Sequence, residues 1–253
     1  MYRKSAKEKA LSVGEVLLIG CEGAGKTLLC KHLEKITKGK ADALLQSETQ
    51  ASIGVELIEV PHRSRLIAIR EIGGTMQPMW NRYFDVCASI IVVADSSTPH
   101  AAVSAAVELA EVLSTPTAMG KRVMLVLNKR DVVGAPPEAS VRQLLRLPTL
   151  EAATNGRLTV LCASALTGDG LPQLLDWCYD SCIAAAAAAA IAAAAEKSAA
   201  KASSKATKHA TKSRWSRSSK KAKGEDPHSA DAIKAAEAAA RGAAAAKERE
   251  NKP

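Results

Sequence analysis

Short apolar runs recur through the first two-thirds of the chain: Val16-Leu17-Leu18-Ile19, Ile90-Ile91-Val92-Val93, Val123-Met124-Leu125-Val126-Leu127 and Leu158-Thr159-Val160-Leu161. Runs of this length with little polar alternation fit strands covered on both faces. Residues 53–60 and 64–72 alternate or run apolar, and Pro61-His62-Arg63 between them predicts a hairpin. Helical patterns fill the intervals. One opens at Leu28-Leu29-Cys30-Lys31-His32-Leu33 and stops at Thr37-Lys38-Gly39-Lys40, and a second covers 101–113. A third opens at Pro136-Pro137-Glu138 and is expected to end near Leu147-Pro148, and a last one covers 171–182. Residues 41–52 read as a polar loop. Strands alternating with helices imply an α/β fold with a mainly parallel, doubly wound sheet of five or six strands.

Between the first strand and first helix stands Gly20-Cys21-Glu22-Gly23-Ala24-Gly25-Lys26-Thr27, which matches G-x-x-x-x-G-K-[ST]. Strand, glycine loop and helix give backbone N–H groups that turn around a phosphate, beside the positive end of a helix dipole. Gly20, Gly23, Ala24, Gly25, Lys26 and Thr27 are therefore the expected phosphate site. Lys26 would reach the β- and γ-phosphates, and the Thr27 hydroxyl would ligate Mg²⁺.

That loop leaves ATP and GTP both open. Asn128-Lys129-Arg130-Asp131, directly after the run ending at Leu127, decides between them. A carboxylate accepts from guanine N1–H and the 2-amino group together, a pair of donors adenine lacks. Asp131 is the expected guanine reader, with Asn128 bracing the loop and the Lys129 stem lying over the ring.

Around these motifs the chain resembles the Ras-like small GTPases, and within them the ADP-ribosylation-factor-like branch. Ser164-Ala165-Leu166 looks like the family's base-binding element, followed by Thr167-Gly168-Asp169-Gly170-Leu171 and Asp176-Trp177. Met79-Trp80-Asn81-Arg82-Tyr83-Phe84 resembles the second switch segment. Ile69-Arg70-Glu71-Ile72-Gly73-Gly74 and Leu145-Arg146-Leu147-Pro148 also resemble members of that branch. The resemblance implies a P-loop NTPase of the Ras-like G-domain type over residues 13–182, binding GTP and GDP with Mg²⁺ as a molecular switch. It implies Ser52 in the first switch and Glu71, through water, as further Mg²⁺ contacts, and Gly73 and Gly74 as γ-phosphate contacts, with the Gly73 N–H as donor. Effector proteins, an exchange factor and an activating protein are the implied partners. Membrane or ciliary traffic is the implied setting, from a cytoplasmic or peripheral membrane location or the cilium base.

Departures from the pattern matter. The family's water-orienting Gln follows the two glycines, where this chain has Thr75, which cannot polarise a water as an amide does. Gln77 is a poor substitute because Pro78 constrains its backbone. Slow hydrolysis follows, GTP hydrolysis being the implied enzyme activity, with Lys26 and the Thr75 position as its catalytic residues. A GTP-loaded adaptor that never hydrolyses is the alternative. Of the family's aromatic effector patch only Tyr83 is retained, with Val55 and Arg70 at the matching positions.

Charge separates the chain into parts. Residues 1–182 carry 20 Lys+Arg against 19 Asp+Glu, whereas residues 183–253 carry 15 against 7, so the tail holds nearly all of the net +9. Residues 1–12 read as a polar leader without a signal-peptide core. Tyr2 and the final Lys252-Pro253 fit neither myristoylation nor prenylation. The six cysteines lack zinc or disulfide spacing and fit a reducing compartment, and His32, His62 and His100 suggest no metal site. Cys178 and Cys182 share a helix face near the core, and Cys21 reads as a small side chain with some scope for thiolate reactivity. Residues 183–195 are nearly all alanine and by themselves shorter than a membrane span, and 184–195 can prolong the last helix. Residues 196–223 are Ala, Ser, Lys and Arg and are expected to be disordered, with a further isolated helix over 232–246. A weak contact of this basic tail with anionic membrane or nucleic acid is a second alternative, a G domain regulating a nucleic-acid arm. The protein is expected to be a monomer.

Overall fold

The computed structural model describes residues 12–39, 54–63, 65–221 and 234. The leader up to residue 11, the loop 41–52 and most of the helix expected over 232–246 lie outside the described residues. Six strands form one sheet: β1 (Ser12–Ile19), β2 (Val55–His62), β3 (Arg65–Ile72), β4 (Ser89–Asp95), β5 (Arg122–Asn128) and β6 (Leu158–Cys162). Their order is β2-β3-β1-β4-β5-β6, with β2 antiparallel to β3 and every other pairing parallel.

Helices α1 (Lys26–Thr37), α2 (Asn81–Phe84), α3 (Pro99–Ser114), α4 (Glu138–Leu144), α5 (Leu147–Ala153) and α6 (Leu171–Lys221) connect and cover the strands. Alternate side chains of the central strands β1, β4 and β5 enter different cores, as the two-residue period requires. Val16 and Leu18 pack with Leu29 and Leu33 of α1 and Leu174 and Cys178 of α6. Leu17 and Ile19 pack with Leu109 of α3 and with Trp80 and Phe84. Burial on both faces explains why the central strands read as unbroken apolar runs. Because β1 lies between β3 and β4, the sheet's winding reverses beside its carboxyl end, where doubly wound folds place ligands.

Three expectations change. The helix opening after Pro137 ends at Leu144, and a separate α5 begins at Leu147, with Arg146 at φ 50° turning the chain between them. Pro148 sits in the first turn of α5, where its missing N–H costs nothing, so it starts a helix rather than ending one. Finally, α6 runs on through Lys221, across all but the last two residues of the stretch 196–223 expected to be disordered. Ala, Lys and Arg are all strong helix formers, so propensity alone can carry the helix where no core is available.

The chain forms two compact units, residues 1–191 and 192–253. With the Leu171 end included, Leu171–Ala199 is long and apolar enough to cross a membrane by length and composition, unlike 183–195 taken alone. Its first part is already committed: Leu171, Leu174, Leu175, Cys178 and Cys182 are buried in the core.

Candidate functional site

The phosphate end forms where β1 stops. Gly25 caps α1 at φ 92° with no side-chain cap, and no acidic residue stands in the first turn, so the helix N-terminus is prepared for an anion. A Cβ at Gly25 would collide with the Asn128 amide, so glycine is required here for space as well as for conformation. Lys26 is buried, and its Nζ donates to Gly20 O and Cys21 O, both at 2.8 Å. Burial pulls the Lys26 ammonium below its ordinary pKa, against the opposing pull of Glu71 and Glu108. The Thr27 hydroxyl donates to Glu71 Oε1 at 2.5 Å, bringing two hard oxygen donors together from α1 and β3. That donor pair fits Mg²⁺, which prefers oxygen ligands and keeps several waters.

The base end forms where β5 stops. Asn128 is buried; its Nδ2 donates to Ala24 O at 2.7 Å and its Oδ1 accepts from Ala165 N at 2.9 Å. One side chain thus ties the glycine loop, the end of β5 and the segment after β6 together. Asp131 is exposed, and its Oδ1 accepts from Ser164 Oγ at 2.5 Å, which orients the carboxylate. Ser164 Oγ also accepts from Thr167 N at 3.0 Å, while Leu166 is 41% exposed. Lys129 adopts φ 65° and its Nζ reaches Asp95 Oδ2 at 2.7 Å. Burial raises the Asp95 carboxyl, but hydrogen bonds from Lys129 and Ser97 outweigh it and hold the group below the ordinary carboxylate range.

Several supports escaped the sequence reading. Asp95 closes β4, and its only signal was a carboxylate ending an apolar run. Arg130 donates to Ser96 O at 3.2 Å and to Pro136 O at 2.6 Å, binding two loops beside the base site. His32, considered only as a metal ligand, places Nδ1 2.8 Å from Ala165 O and so donates from that nitrogen to the base loop.

The switch segment follows β3. Gly73 is buried, and its N donates to Gly54 O at 3.0 Å, which ties the end of β3 to the residue before β2. Gly74 lies against the backbone of Cys21 and Glu22, where a Cβ would clash, and it brings the switch directly onto the phosphate loop. Thr75 is exposed in a 3-10 turn over Gly74–Met79. Gln77 Nε2 donates to Glu111 Oε2 of α3 at 3.1 Å. Ser52 lies outside the described residues. On the neighbouring surface Arg70 is paired with Glu15, with Nη2 to Oε2 at 2.7 Å, and its guanidinium sits 5.7 Å from the Tyr83 ring centroid. Val55, which pairs with Ile72 at the start of β2, is 36% exposed.

Cys21, expected as a small side chain with some scope for thiolate reactivity, is half-buried beside Glu108. Burial, then its bond to Glu108 at 3.0 Å, push the thiol up to about 12, so it stays protonated at neutral pH.

A lysine-bearing glycine loop after β1 and a braced carboxylate after β5, at the same edge of one sheet with β4 between them, define a GTP-binding G domain of the Ras-like P-loop class. The sequence profile of the ADP-ribosylation factor family matches residues 3–182, and the chain belongs to that family. Human ADP-ribosylation factor-like protein 16 is 34% identical over 166 residues, covering 65% of this chain and 84% of the relative. ADP-ribosylation factor-like protein 5 of Caenorhabditis elegans is 30% identical over 165 residues, covering 64% and 87%. Among solved structures, the Arl6 BBS3 small GTPase from Trypanosoma brucei with bound GppNp superposes at a TM-score of 0.55 and 19% identity. It covers 66% of this chain and 96% of its own, a likeness of fold.

Proposed function

We propose that this chain is a guanine-nucleotide switch that recruits effector proteins when GTP is bound and hydrolyses GTP slowly without an activating protein. The observation that carries the nucleotide reading is Asn128, whose two buried bonds place the phosphate loop and the Asp131–Ser164 base site in fixed relation. Mg²⁺ would be held by Thr27 and, through water, by Glu71, and it supplies charge neutralisation at the phosphates when bound. Asp131 then selects guanine, Lys26 meets the terminal phosphates, and Gly74 brings switch movement to the loop. An ordered switch with γ-phosphate and a released one without it follow from that contact.

Slow hydrolysis is supported by two side chains. Thr75 is too short to orient water, and the Gln77 amide is spent on Glu111. These same facts favour the second reading, an adaptor that stays GTP-loaded. Effectors would meet Tyr83 beneath a paired Arg70 rather than an open aromatic patch, so they would differ from partners that bind by stacking. The proposed setting, which rests on the family resemblance of the sequence motifs, is the cytoplasm or a peripheral membrane position in membrane or ciliary traffic. Nucleotide analysis of the purified protein, followed by a single-turnover GTP time course with and without cell extract, tests the proposal. Extract-stimulated conversion to GDP supports the switch; GTP that persists with extract replaces it with the adaptor.

A further inference from the structure

Glu108 on α3 is used by none of the steps above. The residue is 5% exposed and stands among the apolar side chains of α3, yet its carboxylate reaches the phosphate loop. Its Oε1 accepts the Cys21 thiol at 3.0 Å, while its Oε2 is buried with no hydrogen-bond partner among the described residues. A buried carboxylate oxygen without a donor is costly while ionised and much less so once protonated. We propose that Glu108 is a positioning residue of the nucleotide site, holding the loop through Cys21, and that binding of the nucleotide's phosphates is coupled to uptake of one proton by its carboxylate. This rests on the guanine-nucleotide reading of the site.

Three features support the coupling. The groups facing Glu108 are the Cys21 thiol and Lys26 ammonium of the loop, and Glu111 one turn along α3, itself held by Gln77. Burial raises the Glu108 carboxyl above its ordinary pKa; the Cys21 bond and the Lys26 charge pull the other way, and Glu111 adds to the rise. Phosphates arriving at the loop engage the charge of Lys26 and bring negative charge to the same residues. Both changes favour the neutral acid. The proton comes from solvent and adds to a carboxylate oxygen, with no other bond made or broken. On the loop's backbone, Gly74 packs against Cys21 and Glu22, so a shift at Cys21 is transmitted to the switch.

The sign follows from linkage: nucleotide binds more tightly as pH falls through the raised Glu108 value and less tightly above it. One coupled proton changes affinity by at most about tenfold per pH unit. The terminal phosphate of the nucleotide titrates too, so the test is a comparison of variants. GDP and a fluorescent GDP analogue are titrated into the full-length protein between pH 5.5 and 8.5, for wild type and Glu108→Gln. The amide keeps the shape and an acceptor for Cys21 but carries no charge. The proposal predicts a shallower pH slope and tighter binding above pH 7.5 for Glu108→Gln; coincident slopes overturn it. If that variant does not fold, the ¹³C shift of the Glu108 carboxyl in wild type decides: it moves to the protonated position with GDP, or its constancy overturns the coupling. Wild type that fails to bind GDP at any pH overturns the nucleotide reading as well.

Discussion

At the scale of single residues, Asn128 and Asp131 do different work and fail differently. Asn128→Ala strands Ala24 O and Ala165 N–H in a buried place, a loss of about 2–4 kcal/mol for two unpaired groups. Both thermal stability and nucleotide retention are expected to fall, measurable by melting and by GDP release at least about tenfold faster. Asp131→Ala removes only an exposed carboxylate. GDP affinity is expected to drop about 10–100-fold, as for loss of charged hydrogen bonds, while the melting point of the unliganded protein stays near wild type. Thr75→Gln supplies the missing amide at an exposed switch position, and single-turnover hydrolysis should accelerate; an unchanged rate would show that the 3-10 turn, not the side chain, limits the step. The residues proposed to carry the nucleotide could be named from sequence because their motifs are local: eight consecutive residues make the loop and four make the proposed base reader. Asp95, His32 and Glu108 could not, because each acts across 34 to 133 positions of sequence on a partner that only the fold supplies.

Elements show the same division. Strands β4 and β5 could be read from their apolar runs because helices cover both faces, whereas the break between α4 and α5 depends on one left-handed residue, Arg146, that no periodicity announces. The β2–β3 hairpin is tied at its tip to α6. His62 Nε2 lies 2.8 Å from Asp176 Oδ1, Arg63 Nη2 lies 2.7 Å from the same oxygen, and the Arg63 guanidinium stands 5.2 Å from the Tyr179 centroid. The His62 bond, then Arg63, holds the Asp176 carboxyl below the ordinary range. The tie is therefore complete at neutral pH and is lost as pH falls through that lowered value. Asp176→Asn is expected to quicken amide hydrogen exchange at the hairpin tip, residues 60–63, by severalfold at neutral pH, while exchange in β4 and β5 stays as in wild type. Equal protection at the tip would mean that packing by Tyr179 suffices.

For the whole molecule, composition and charge set residues 183–253 apart as a basic tail, and the described part of α6 runs into it as far as Lys221. A charge count cannot distinguish a solvated coil from a helix of good helix formers. Because residues 186–199 are all exposed, ending the chain after Ile191 is expected to leave the melting point within about 2 °C and GDP affinity within about twofold of full length. The central claim is a pocket selective for guanine at its carboxylate end and for a nucleotide phosphate chain at its lysine end. Direct titration of the full-length protein with GDP, GTP and ATP in the presence of Mg²⁺ tests it most simply. The account predicts GDP and GTP binding at least about 100-fold tighter than ATP; comparable affinity for all three nucleotides would contradict it.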